Sequence, residues 1–171
     1  MIANPFRAET KIAPLKAEEL EEVSLHAIAQ IHKAGFSKAW DEREIVSTLN
    51  NNGVWCLVAK QKDTIIGFLI YRITLDEAEI ITIATSPKHR QQGAGANLLY
   101  EMQRHCLIER VKKIFLEVDG ANLGAISLYK KSGYVKIGER KGYYSNEEKD
   151  DSTQGSAERS DAHIMQLDLS A

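Results

Sequence analysis

The sequence predicts a single α/β domain over residues 1–171: a mixed, mostly antiparallel sheet of about six to seven strands, flanked by about four helices. Three observations point there. Segments rich in β-branched and aromatic residues follow one another as hairpins in one half and alternate with helical periodicity in the other. At 171 residues the chain suits one domain with a sizeable core. Its 43% hydrophobic and 27% charged residues are an ordinary globular balance.

The elements follow in order. Leu20, Val23, Ala27, Ile28 and Ile31 recur every three or four residues, which predicts an amphipathic helix over Ala17 to Lys33. A short helix is expected over Asp41 to Asn50, where Asp41 caps and Glu44 completes a capping box. "VWCLVA" (Val54–Ala59) and "TIIGFLIYRIT" (Thr64–Thr74) read as a hairpin across the polar "KQKD". "EIITIAT" (Glu79–Thr85) is a third strand, ended by Ser86-Pro87. After the glycines of "RQQGAG", Leu98, Leu99, Met102 and Cys106 stand at helical spacing. "KIFLEV" (Lys113–Val118) is a strand. A helix capped by Asn122 and stopped by Gly133 follows. "YVKIGER" and "AHIMQLDL" complete the set as strands.

Between Tyr144 and Ala162 the pattern fails. Glu147, Glu148, Asp150, Asp151, Glu158 and Asp161 against Lys149 and Arg159 leave a net charge of about −4, and residues 145–161 read as a mobile acidic loop.

Bulk properties exclude several functions. A net charge of −2 gives no global reason to expect nucleic acid or an anionic membrane as partner. No apolar run is long enough to span a bilayer, and "MIANPFRAETKIAPL" lacks a signal-peptide core. Cys56 and Cys106 fit buried thiols in a reducing cytoplasm better than a disulfide framework. The five histidines (His26, His32, His89, His105, His163) form no H-E-x-x-H, and no C-x-x-C occurs, so no metal is expected. A hydrolase G-x-S-x-G is absent too. His89 reads as a solvated loop residue, and Trp40 and Trp55 as core or groove walls. A monomer or weak dimer is expected.

The candidate ligand site is Arg90 to Ala96. Gly93 and Gly95 lie where a strand gives way to a helix, whose first turn offers unpaired N–H groups and a dipole that favours an anion. From these residues alone, a cradle of amides over Gln91, Gln92, Gly93, Ala94, Gly95 and Ala96, with Arg90 at its mouth, competes evenly with a turn that binds nothing. A P-loop would need Lys-Ser or Lys-Thr after the glycines. A dinucleotide fingerprint fails at its third glycine, which is Leu98 here. Among phosphate ligands, a pyrophosphate held by amides without metal remains.

"RQQGAG" fits R/Q-x-x-G-x-G/A, and with "LEVDGANLGAISLYKKSGY", "IHKAGFSKAW", "LDEAEIITIATSPKHRQQG" and "ERKGYY…DAHIMQL" it resembles the GCN5-related N-acetyltransferases. The likeness covers about Leu25 to Leu167, and is nearest to the members that acetylate ribosomal-protein N-termini. It implies acetyl-CoA as acetyl donor. Backbone groups of Ile83, Ala84 and Thr85 would then line the pantetheine arm, and Asn122 would touch the cofactor as well as cap its helix. The family more often has Val at the position of Thr85, a change that backbone contacts survive.

Acetyl transfer to an amine needs a base for the amine, stabilisation of the thioester oxygen and an acid for the leaving thiolate. Glu117 lies inside an otherwise apolar strand. By periodicity alone it is a solvated strand residue, or a carboxylate at a polar face or in a cleft. Tyr129 by periodicity packs beside Ile126. The resemblance makes Glu117 the general base and Tyr129 the general acid. It implies a protein or peptide N-terminus as partner, whose α-amine, with a pKa near about 8, deprotonates far more easily than lysine near about 10.4. "RKGYY" has Gly142 where the family has Asn, and the acidic segment is longer than expected; both bear on the acceptor. The other readings are an enzyme of this fold acting on lysine side chains, polyamines or other small amines, and a non-catalytic acyl-CoA-binding module.

Overall fold

The computed structural model describes residues 10–11, 14–15, 19–145 and 159–170. The elements run β1 (Thr10–Lys11), β2 (Pro14–Leu15), α1 (Glu22–Gly35), α2 (Glu42–Leu49), β3 (Val54–Gln61), β4 (Thr64–Thr74), β5 (Glu77–Thr85), α3 (Ala94–Ile108), β6 (Lys113–Asp119), α4 (Leu123–Lys131), β7 (Val135–Ser145) and β8 (Arg159–Asp168). They form one sheet in the order β1-β3-β4-β5-β6-β8-β7, with β2 also on β3. All pairings are antiparallel except β5 with β6. The six long strands and four helices are those the sequence predicts. The two-residue pieces β1 and β2 are not; such fragments are too short to carry a period, and each pairs with β3.

Each face of the sheet carries its own core. Leu57, Leu69, Tyr71 and Leu116 face α3 and α4, packing with Leu98 and Met102. Cys56, Phe68 and Ile70 face α1 and α2, packing with Ile28 and Ile45. The alternation within β3 and β4 supplies both sides, which is why these strands read as nearly continuous apolar runs. Both cysteines are free and fully buried, and burial pushes each thiol up to about 12, so neither is a nucleophile at neutral pH.

Several boundaries differ from expectation. Helix α1 begins at Glu22, and Val23 is 77% exposed rather than on the apolar face. The buried stripe is Ser24, Ile28, Ile31 and His32, so Ile28 and Ile31 of the expected apolar face are kept while Ser24 and His32 take the places beside them. Asp41 does cap α2: its carboxylate accepts from Glu44 N at 2.9 Å and Glu44 accepts from Asp41 N at 2.8 Å. The acidic loop is shorter than 145–161, because Tyr144 pairs with Ser160 and Ser145 with Arg159; residues 146–158 lie outside the described residues. Asp161 belongs to β8 and accepts the Gly142 N–H at 2.8 Å.

One irregularity positions the site. β4 and β5 slip register where Ile70 faces Thr82 but Tyr71 faces Ile80, leaving Ile81 as an extra residue. Bulges of this kind bend the strand that carries them. β5 keeps its parallel partner β6 only from Glu77–Lys113 to Glu79–Phe115. Beyond that, β5 follows β4 and β6 follows β8, and a gap opens in the middle of the sheet.

Candidate active site

Gly93 and Gly95 sit on one side of this gap and serve different ends. Gly93 is the N-cap of α3 with φ 87° and ψ −5°, a left-handed backbone that costs glycine little. Gln91, two residues earlier, is left-handed as well, with φ 58°. The chain therefore turns twice before α3 begins, and no side chain caps the helix. Its first-turn amides have no intrahelical partner and remain available to an anion. Gly95 instead answers to packing: a Cβ there would lie 3.1 Å from Leu128 Cδ2 of α4 and 3.7 Å from Thr85 Oγ1. This glycine lets α3, α4 and the end of β5 converge.

Gln91, Gln92 and Arg90 are exposed, Gly93, Gly95 and Ala96 half-buried, and Ala94 buried. His89 is half-buried rather than solvated, and its Nδ1 is enclosed without a hydrogen-bond partner among the described residues. The short 3-10 turn Pro87–His89 tucks the ring inward, which loop composition could not reveal.

Ile83, Ala84 and Thr85 form the end of β5 beside the gap. They are only half-buried although β5 lies mid-sheet, because β6 has left them. A strand edge of this kind can pair with an extended, amide-bearing ligand.

Glu117 lies on β6, two residues past the last β5–β6 pair. Leu116 and Val118 belong to the core beneath α3 and α4, so alternation turns Glu117 to the opposite face, the one that carries α1 and α2 over β3 to β5. Its side chain is 31% exposed and accepts from Arg140 Nη2 at 2.9 Å. Of the alternatives the sequence left open, the polar sheet face is the one observed. Arg140 escaped the sequence reading because β8 intervenes: Glu117 faces Ile164, which faces Gly138 on β7. Only the strand order β6-β8-β7 puts Arg140 within reach.

Tyr129 is 5% exposed on α4, edge-on to Tyr134 at 5.8 Å between ring centroids. It belongs to the core on the α3–α4 face. Glu117 and Tyr129 thus stand on opposite faces of the sheet, with the gap between β5 and β6 between them. Asn122 caps α4, its Oδ1 accepting from Ala125 N at 3.1 Å. Gly142 has φ 62°, a conformation that Gly and Asn tolerate best, so this exchange within "RKGYY" keeps the backbone course.

Among the described residues, no group of three His, Cys, Asp or Glu could hold a metal ion, and no helix is long and apolar enough to cross a membrane. The model of the acetyltransferase (GNAT) family matches residues 25–134. The [ribosomal protein bS18]-alanine N-acetyltransferase of Escherichia coli K12 is 31% identical over 153 residues, covering 88% of this chain and 95% of its own. The crystal structure of the ribosomal-protein-S18-alanine N-acetyltransferase from Escherichia coli superimposes with a TM-score of 0.78 at 27% identity, covering 94% of this chain and 96% of that one. Arabidopsis thaliana NAA60 in complex with acetyl-CoA shares the fold, with a TM-score of 0.75 at 16% identity over 95% of this chain and 99% of that one.

Proposed function

The chain belongs to the acetyltransferase (GNAT) family, and from that premise we propose that it acetylates the N-terminal α-amine of a protein, with the N-terminal alanine of a small-subunit ribosomal protein as acceptor. The observation that carries this reading is the gap between β5 and β6, with an anion-ready helix start on one side and a carboxylate on the other.

Acetyl-CoA is the donor substrate. The amides of Gln91 to Ala96, with Arg90 beside them, hold its pyrophosphate; the double left-handed turn at Gln91 and Gly93 fits that task. Ile83, Ala84 and Thr85 pair their backbone with the pantetheine amides. The thioester then lies in the gap, reached from the α1–α2 face by the amine and from the α4 face by Tyr129. Glu117 accepts the ammonium proton, directly or through one water, and the free amine attacks the carbonyl carbon. The C–S bond breaks as the Tyr129 hydroxyl donates its proton to the departing sulfur, and the second proton, which the attacking nitrogen sheds as the amide forms, passes through water to restore the Tyr129 hydroxyl. Arg140 is the counter-ion that the substrate ammonium replaces at Glu117. A modest carboxylate base suits an α-amine, whose pKa is roughly two units below that of lysine.

The test uses alanine-initiated peptides with and without an internal lysine. Intact mass and fragmentation should show one acetyl group, at the N-terminus, in both. Glu117→Gln and Tyr129→Phe should each lower kcat by roughly 10²–10⁴ while leaving CoA affinity within a few-fold. Acetylation of lysine alone overturns the acceptor assignment, and full turnover by both variants overturns the catalytic one.

A further inference from the structure

Resting on the reading above, in which the amine arrives on the face that carries α1 and α2, a buried histidine stands behind the wall of that approach. His32 lies in the last turn of α1 and is 3% exposed. Its ring is stacked between two aromatic rings, Phe36 at 4.3 Å and 20°, and Trp40 at 5.0 Å and 13°. Two near-parallel partners at these separations must occupy opposite faces of the imidazole. Phe68 of β4 closes the side toward the sheet, at 6.1 Å.

The same ring ties the α1–α2 connection to α1, beside the His26–Glu42 pair that joins the two helices. Trp40 N–H donates to His32 Nδ1 at 3.0 Å. Accepting at Nδ1 makes Nε2 the protonated atom of a neutral ring. Asp41, the next residue, is locked into the capping box of α2. The segment from Phe36 to Trp40 is therefore joined to α1 at one end and α2 at the other, and His32 holds its two end residues together. The segment leaves α1 next to the reaction gap: a Cβ on Gly35, the last residue of α1, would lie 3.9 Å from Ala84 Cβ, on the β5 stretch that flanks the thioester arm. Phe36 remains 40% exposed, on the outer side of the stack.

We propose that His32 is a positioning residue for the acceptor: its neutral imidazole fixes Phe36–Trp40 as one wall of the amine approach, and its protonation releases that wall. A protonated ring has no lone pair at Nδ1 for the Trp40 amide and turns an acceptor into a second donor. Burial pulls the His32 pKa below its ordinary 6.5, with Glu44 acting weakly the other way, so the ring is neutral at cytoplasmic pH values. Of the charged groups on α2, Glu44 acts on the ring through its charge while its carboxylate accepts from Asp41 N, Glu42 is paired with His26, and Arg43 is exposed. Lys33 on α1, Lys38 in the connection and Asp41 at the cap are exposed, while β4 and β5 present the apolar Phe68 and Ala84.

The experiment uses the full chain, acetyl-CoA and a lysine-free peptide that begins with alanine. His32→Asn keeps an acceptor oxygen near the Nδ1 position and cannot be protonated; His32→Leu keeps the burial and removes the acceptor. His32→Leu should raise the peptide KM by about 5- to 30-fold, the value of one buried hydrogen bond to a positioned segment, with the acetyl-CoA KM within twofold of wild type. His32→Asn should recover most of that loss. Between pH 7.5 and 5.5 the wild-type peptide KM should rise, and that of His32→Asn should stay level. A second readout needs no turnover: in a Trp55→Phe background, Trp40 emission should titrate with a midpoint below 6.5, and this transition should vanish with His32→Asn. Equal shifts in both KM values, or a Trp40 transition that survives in the Asn variant, overturn the proposal. If the wild type leaves the peptide untouched, the acceptor reading itself fails, and the emission titration still decides whether His32 holds the segment.

Discussion

Replacing Gly93 with alanine tests whether the start of α3 is a built anion cradle or only a turn. Gly93 sits at φ 87° and ψ −5°. An L-residue in that region costs about 1–2 kcal/mol more than glycine. The chain has two responses. If it keeps the left-handed turn, the strain appears as lost stability; for 171 residues each kcal/mol is worth roughly 2–4 °C, so the melting temperature should fall by roughly 2–8 °C. If it relaxes to negative φ, the first-turn amides of α3 swing away from the anion. Losing one hydrogen bond to a charged oxygen costs about 1.5–3 kcal/mol, or about 10- to 150-fold in CoA affinity. Calorimetric melting and isothermal titration with CoA separate the two responses. Gly124→Ala is the control. It lies in the first turn of α4, and its added Cβ would come no nearer than 3.9 Å to a neighbour, Asn122 Oδ1. That variant should gain up to about 1 kcal/mol from helix propensity and bind CoA as before. A Gly93→Ala protein that matches wild type in both melting and CoA titration would refute the assignment of the turn.

Two further outcomes follow from the coordinates. Leu75 is left-handed at φ 57° and 90% exposed, so Leu75→Asn, which gives up almost no buried surface, should raise the melting temperature by roughly 1–4 °C; a fall would show that the turn is not strained. Acid should act on stability in two windows. His32 has a folded pKa below its unfolded value, so the unfolded chain binds the extra proton, and its contribution, full above 6.5, is lost as pH falls from there through the folded pKa. Asp76 beside Lys112, Glu139 beside Lys136 and Asp168 beside Ser170 are held below the usual carboxylate range by those partners, and their contributions are lost only as pH falls below it. Urea titrations at stepped pH should show the upper window flatten in His32→Asn and the lower one persist; an unchanged upper window would contradict the burial of a neutral ring.

The sequence by itself determined what is decided within about four residues along the chain. The Asp41–Glu44 box, the Asn122 cap, the helical run after Gly95 and the hairpin at Lys62-Asp63 are set by local hydrogen bonds and side-chain periodicity, and the structure places them as read. The glycine loop was legible for the same reason, since a left-handed turn before a helix is a local requirement. Even so, only the tertiary structure separates the two glycines, Gly93 for its φ and Gly95 for its approach to Leu128. Val23 faces solvent because the sheet, not the period, chose which stripe of α1 to bury. Glu117 meets Arg140 because β8 enters between β6 and β7, and no spacing along the chain encodes that order. The gap opens where β5 and β6 stop pairing after Glu79, next to a bulge at Ile81, a single residue of register between strands that look regular in sequence. Local chemistry named the parts; strand order and register decided which of them stand side by side.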